Sequence, residues 1–464
     1  MNARSILINR WWLPSVALLV ATVTTAQDRR TIMEPVIPPV CRSLDAELSA
    51  TGKGLAEADE NRSDTARIQQ AIDQCRAGTA VELRTSASRT AFISGPLELK
   101  QDITLLVSRG AILFASRNPR DYDIKPGTCG TIDHSGIGCR PLISIKVRDA
   151  AVMGNGIIEG RGGAKLIGQD VSWWDLAEQA RSNRLTPETP GHNAPHMLEA
   201  DKADGLVLYG ITFRNSPHFH VLVHRTNGFT AWGVKIHSPE TARNTDGIDL
   251  SSSTNVSILH SHIYAGDDHI AIKATAGAPS THMTIAHNHL YAGHGMSIGS
   301  GTQGGVSDIA VHDLTIQGAL HGLHIKSSPN RGGVVRRVSY TDVCMQEVEN
   351  PISFETTYKG VTVGELVPRY EDILLRDVRI RRGGTISLNG FDDDHPLRVT
   401  FDGVVVTDQA PKIRAMHAFI TTGPGEVNFA TSGNGVISTA IGGSRKVPSC
   451  GNFVAFPAVI TNAP

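Results

Sequence analysis

Three segments decide the fold: Val256-Ser257-Ile258-Leu259-His260-Ser261-His262-Ile263, Met283-Thr284-Ile285-Ala286-His287-Asn288-His289-Leu290 and Ile309-Ala310-Val311-His312-Asp313-Leu314-Thr315-Ile316. Each alternates apolar and polar residues with period two, which a strand satisfies and a helix does not. Two earlier copies, Leu206 to Phe213 and Gly228 to Ile236, extend the series, with starts 22, 28, 27 and 26 positions apart. A turn and a second short apolar strand follow the later copies, as in Gly247-Ile248-Asp249-Leu250, His269-Ile270-Ala271-Ile272 and Gly322-Leu323-His324-Ile325. Short strands at a fixed spacing indicate a stacked array in which each turn of chain hydrogen-bonds to the next. The expected fold is all-β, a single-stranded right-handed parallel β-helix with a short N-terminal capping helix.

Composition fits that reading. A solenoid grows by adding coils, so 464 residues need not divide into several globular domains. Forty-six glycines and few aromatic residues suit narrow coils with tight turns. The formal net charge of −1 carries no nucleic-acid signature.

The amino terminus has the layout of a secretory signal: Arg4 and Arg10, an apolar run from Trp11 to Ala21, then Thr24-Thr25-Ala26. That run is shorter than the ~20 residues a membrane span needs. The expected organisation is a signal peptide over 1–26, a segment with the capping helix over 27–95, and the β-helix with its C-terminal cap over 96–464. A secreted or periplasmic chain follows, free of the membrane after cleavage. Six cysteines suit that compartment. Cys129 and Cys139 bracket a glycine-rich loop, and Cys41 with Cys75 would tie the leading segment to the helix, although six cysteines allow 15 connectivities. The helix is expected between Asp64 and Cys75, with Asp64 as N-cap and Ala66, Ile68, Ala71 and Ile72 as its apolar face. Its role is to cover the open end of the solenoid.

The chemistry sits in Asn244-Thr245-Asp246-Gly247, Gly266-Asp267-Asp268, Gly293-His294-Gly295 and His324-Ile325-Lys326. Asp246 to Asp267, Asp268 to His294 and His294 to Lys326 span 21, 26 and 32 positions, each about one coil. Coils rise by ~4.8 Å, so these residues converge on one face. Any one motif is ordinary turn chemistry, and a lone Gly-Asp-Asp also suits a calcium turn. The ordered set is what glycoside hydrolysis requires: one carboxylic acid to protonate the leaving oxygen and another carboxylate to activate water. Three crowded aspartates cannot all ionise easily, a histidine can tune the proton, and a lysine supplies positive charge.

Those motifs, from about Thr65 to Phe401 and with Phe92-Ile93-Ser94-Gly95-Pro96-Leu97 near the first coils, resemble the polygalacturonases, glycoside hydrolase family 28. The resemblance implies an inverting hydrolase of α-1,4-linked galacturonan that needs no cofactor and no metal. Carried over by position, Asp267 is the general acid, Asp246 and Asp268 hold the attacking water, and His294 sets the acid's protonation. Lys326 and Tyr358 contact substrate, and Asn244 shapes its turn more than it touches sugar. The family usually has Arg-Ile-Lys where this chain has His324-Ile325-Lys326. An imidazole lacks the permanent planar fork of a guanidinium, so the departure predicts weaker or more pH-dependent carboxylate binding, or another sugar there. Arg331 lies close enough in sequence to substitute. A pectate lyase and a noncatalytic carbohydrate-binding β-helix share the scaffold, but the motif set matches neither as well. Exo action, or a decorated galacturonan or rhamnogalacturonan substrate, stays open within the hydrolases. No large extra amino-terminal module is present, which favours endo action. The expected partner is an acidic polysaccharide, met by a monomer.

Overall fold

The computed structural model describes residues 27–51, 54–133, 138–182, 191–275 and 277–458. The segment 1–26, expected to be a signal peptide, lies outside them. The strands form two parallel sheets, and the chain is a right-handed parallel β-helix. The 11-stranded sheet takes one strand from each successive coil, in strict chain order. Its interior column runs Val221, Ile248, Ile270, Met296, Leu323, Ile352 and Ile386 in register. All seven are buried. Each contributes roughly 1.5–3 kcal/mol of apolar transfer. All five repeats read from the sequence are strands: Val207–Tyr209, Asn227–Trp232, Thr254–Leu259, Ser280–Tyr291 and Val306–Gln317.

Strands of 12 or 13 residues in the larger sheet must bend to wrap a narrow core. They bend at single residues with positive φ stacked from coil to coil. One such column is Asn255, His282, Asp308, Arg337 and Asp372; another is His260, His287, Asp313, Asp342 and Asp377. Asn and Asp tolerate this region best among residues with a side chain.

The capping helix spans Thr65–Gln74 and buries Ile68, Ala71 and Ile72. Two details differ from expectation. Ala66 is exposed, because it lies two positions before Ile68 and so on the opposite side of the helix from the buried face. Asp64 occupies the N-cap position but makes no side-chain cap; one of its oxygens accepts the Ile93 N–H at 3.0 Å and the other binds Arg67. It ties the helix to the coil instead. The disulfides are Cys41–Cys75, Cys129–Cys139 and Cys344–Cys450.

Both ends fold back over the larger sheet. The Asp28 N–H donates to Thr284 Oγ1 at 3.0 Å, and the Ser257 hydroxyl donates to Asp28 Oδ2 at 2.7 Å. At the carboxyl end, Phe456 packs on His237, Tyr264 and Tyr291, and the Tyr291 hydroxyl donates to the Val454 carbonyl.

Histidines also stack across coils. His260 and His287 lie parallel with ring centroids 4.7 Å apart, beneath Trp232 at 4.8 Å, and His262 lies 4.8 Å from His289. Burial pushes His220, His262, His269 and His321 down to about 4. The unfolded rings take up protons near pH 6.5, so the unfolded chain binds more protons below that value and stability falls as pH drops from about 6.5 toward 4. We expect Tm to fall by about 5 °C or more between pH 7.5 and 5, with net proton uptake on unfolding at pH 5.5. Calorimetry in buffers of different ionisation enthalpy measures that uptake. Unfolding without uptake would mean that these rings titrate normally in the native state.

Candidate active site

The site lies on the 11-stranded sheet, at the approach to four consecutive strands: Ile248–Ser251, Ile270–Lys273, Met296–Gly299 and His321–Lys326. The register Ile248↔Ile270↔Met296↔Leu323 places Asp246, Asp268, His294 and His321 two residues ahead of equivalent positions. They therefore form one column. Three of its members are sequence-predicted; His321 is not. The motif glycines are required by the tight stacking of these turns. A Cβ on Gly266 would come within 2.1 Å of the Ala242 carbonyl oxygen, and one on Gly295 within 2.2 Å of the Gly322 carbonyl oxygen.

Side chains also bind each turn to the next. The Thr245 hydroxyl donates to the Ala242 carbonyl and accepts the Gly266 N–H at 3.0 Å. His269 accepts the Gly295 N–H on Nδ1 and donates through Nε2 to the Tyr291 carbonyl, which fixes its tautomer. Asn244 has φ 56° and shapes its turn.

Three carboxylates here have a cationic partner. Lys326 Nζ donates to both oxygens of Asp268, at 2.9 and 2.7 Å, and Ser297 Oγ adds a 2.7 Å bond. Lys326 reaches back two coils to do this. Burial raises the Asp268 pKa, but the Lys326 charge outweighs it and holds the carboxyl well below its ordinary range. Lys273 Nζ donates to Asp249 Oδ2 at 2.9 Å. Burial nevertheless pushes Asp249 up. His294 Nδ1 lies 2.9 Å from Asp267 Oδ1. Burial opposes both charges, yet Asp267 is held low by His294 while His294 is raised by Asp267. The two shifts agree on an ion pair that keeps one proton.

Asp246 is the exception. Among the described residues its Oδ1 has no hydrogen-bond partner, and its Oδ2 is 3.8 Å from Lys273. Burial, then the charges of Asp267 and Asp249, push its pKa well above the ordinary value, so it keeps its proton to higher pH than its neighbours. Asp267 differs in access: its side chain is 22% exposed, against 6% for Asp246 and 4% for Asp268.

His324 is buried beside Lys326, stacked on His321 at 4.1 Å, with no hydrogen-bond partner on either nitrogen among the described residues. Burial and the Lys326 charge push its pKa well below the ordinary value, so its ring is neutral. Tyr358 stands 6.2 Å from the His324 ring, and Lys326 Nζ is 5.4 Å from the Tyr358 ring. Arg331 donates to Ser300 Oγ at 3.3 Å. Sequence reasoning missed Asp249, Lys273 and His321. Asp249 and Lys273 sit on the outward positions of strands the alternation already identified. His321 becomes visible once the register is counted from His294.

Ligand atoms of Asp267, Asp268 and His294 lie within 4.8 Å of one another, a spacing a cation would accept. Their donor atoms are engaged with Lys326 and with each other. A separate concavity of about 570 Å³ is lined by Glu57, Glu60, Arg117, Glu159, Arg161 and Arg214. Its charges pair internally, Arg161 with Glu60 and Arg214 with Glu159. No described helix is long and apolar enough to cross a membrane.

Comparison with known proteins agrees with this geometry. Residues 128–422 match Glycosyl hydrolases family 28. The chain is 39% identical over 387 residues to an endo-polygalacturonase of Pectobacterium parmentieri, covering 83% of this chain and 91% of that one. It is 36% identical to a polygalacturonase of Ralstonia solanacearum, over 88% and 86% of the two chains. Among solved structures, the polygalacturonase from Erwinia carotovora ssp. carotovora superposes with a TM-score of 0.78 at 37% identity, over 85% of this chain and all of that one. An exopolygalacturonase of Yersinia enterocolitica, 22% identical with a TM-score of 0.66, shares the fold. This chain is therefore a glycoside hydrolase and belongs to glycosyl hydrolases family 28.

Proposed function

We propose that the enzyme hydrolyses the α-1,4-galacturonosyl linkages of polygalacturonate, outside the cell, as an endo-acting and inverting hydrolase. The observation that carries the reading is the set Asp246, Asp267 and Asp268 gathered in one site, Asp267 against His294, Asp268 against Lys326 and Asp246 with a free oxygen. Asp268 is the ionised member and Asp246 the protonated one. Between them they hold the water: Asp268 accepts its proton, and the free Asp246 oxygen orients it. Asp267 is the exposed carboxyl and reaches the leaving oxygen, with the proton it shares with His294. As that oxygen gains charge, the proton passes to it and the water attacks from the opposite face. Lys326 acts first on Asp268, and Tyr358 packs along the sugar. No step calls on a cofactor.

The names of the two bacterial relatives support polygalacturonate as substrate, and the Pectobacterium name supports endo action. Three disulfides and the signal-like first 26 residues support export. The test is the product-size profile over time on de-esterified polygalacturonate at mildly acidic pH, with proton NMR of the first product. Mixed oligomers appearing early, with an inverted anomer, are expected. Monomer or dimer alone from the start would replace endo with exo action, and a retained anomer would overturn the water-activation roles.

A further inference from the structure

If the substrate is polyanionic, as the reading above has it, its carboxylates need cations, and the two expected ones are not free. Lys326 is bound to Asp268 through both carboxylate oxygens, and His324 is buried and neutral. Three other cations stand at the rim. Arg243 immediately precedes Asn244, Arg331 lies in the turn after His321–Lys326, and Lys359 follows Tyr358 in the next coil. Among the described residues none of the three has an ion-pair partner, while Lys359 feels the charges of Arg331, Arg243, Lys326 and Asp267. They come from three separate turns, and the charges of Arg243 and Arg331 both bear on Lys359.

Lys359 is exposed, whereas Arg243 and Arg331 are half-buried. Its backbone has φ 58°, a conformation residues with a side chain rarely adopt, and its Nζ lies 5.6 Å from the Tyr358 ring. The turn is pinned on both sides: the Tyr358 N–H donates to the Ser327 carbonyl at 2.8 Å, and the Gly360 N–H to Thr357 at 2.9 Å. A fixed turn at which cations outnumber the acid acting on it, Asp267, is what an anionic ligand would balance.

We propose that Lys359, flanked by Arg243 and Arg331, grips a uronate carboxylate beside Asp267, at the rim of the site where His324 offers no charge. The position sets specificity for acidic over neutral or esterified sugar and takes no part in proton transfer. The experiment compares wild type, Lys359→Met and Lys359→Arg on polygalacturonate, with kcat and KM resolved at two salt concentrations. Lys359→Met should raise KM by roughly tenfold and weaken its salt dependence, with most of the loss in KM and Lys359→Arg restoring it. Equal thermal unfolding of the three proteins excludes a folding effect. An unchanged KM, or a loss confined to kcat, overturns the assignment. Wild-type silence on polygalacturonate would instead remove the substrate reading on which it rests.

Discussion

Replacing Asp267 with Asn will lower kcat on polygalacturonate by about a thousandfold or more while KM changes little. Asn preserves the shape but carries no transferable proton. Of the three site aspartates, Asp267 alone presents a partly exposed carboxyl, so neither neighbour can take over. Its proton comes from the pair with His294, whose pKa is raised by the carboxylate 2.9 Å away. A raised histidine keeps its proton above pH 6.5, so the wild-type rate should hold to that region and then fall as pH rises. In His294→Ala the acid must retain the proton alone. The alkaline limb then moves to lower pH, and activity at neutral pH falls by roughly 10- to 100-fold. A pH–rate profile of the three proteins is the check. Asn at 267 with a tenth of the wild-type kcat, or a limb unmoved by His294→Ala, would take the acid role away from this pair.

Lys326→Met will cost about 3–5 kcal/mol of stability, because it leaves the Asp268 carboxylate buried without its cation. Both oxygens now receive Lys326, and the side chain is only 4% exposed. With the lysine gone, the force holding the Asp268 pKa down is gone and burial drives it up, so the group holds a proton at working pH. Water activation is lost with the charge, and kcat should drop by ~100-fold or more. The double variant Lys326→Met with Asp268→Asn should recover most of the stability and none of the activity, since it removes both charges together. Denaturant unfolding and initial rates on the same preparations separate the two effects. Single and double variants that unfold at the same denaturant concentration would show that the pair adds nothing to the fold.

Much of this was legible in the sequence because the fold is periodic. The alternation around Val256, Met283 and Ile309 names the strands, and counting one coil between motifs brings Asp246, Asp268 and His294 into one column. Periodicity also hides things. Lys326 is in a different column and meets Asp268 by the length of its side chain, two coils away. His324 sits at an outward position of its strand, yet it is buried, with His321 stacked on it and Tyr358 beside it, and alternation cannot see such cover. The corners of the long strands depend on single positive-φ residues such as His287 and Asp313 in place of glycines, so no turn signal marks them. Asp64 shows the same limit locally: its neighbours predict a cap, but a strand 29 residues away competes for its carboxylate and wins.

The fastening at Asp28 has a consequence for the time order of synthesis. Its backbone bonds to Thr284, 256 positions later, and its carboxylate to Ser257. Ribosomes add about 5–20 residues per second, so those partners emerge roughly ten seconds to a minute after it. Throughout that interval Asp28 lacks both of these partners, and any chain stopped before Thr284 never acquires the backbone tie. The clasp thus works as a completeness check: its closure records that the coils carrying Asp246, Asp267 and Asp268 have already been made.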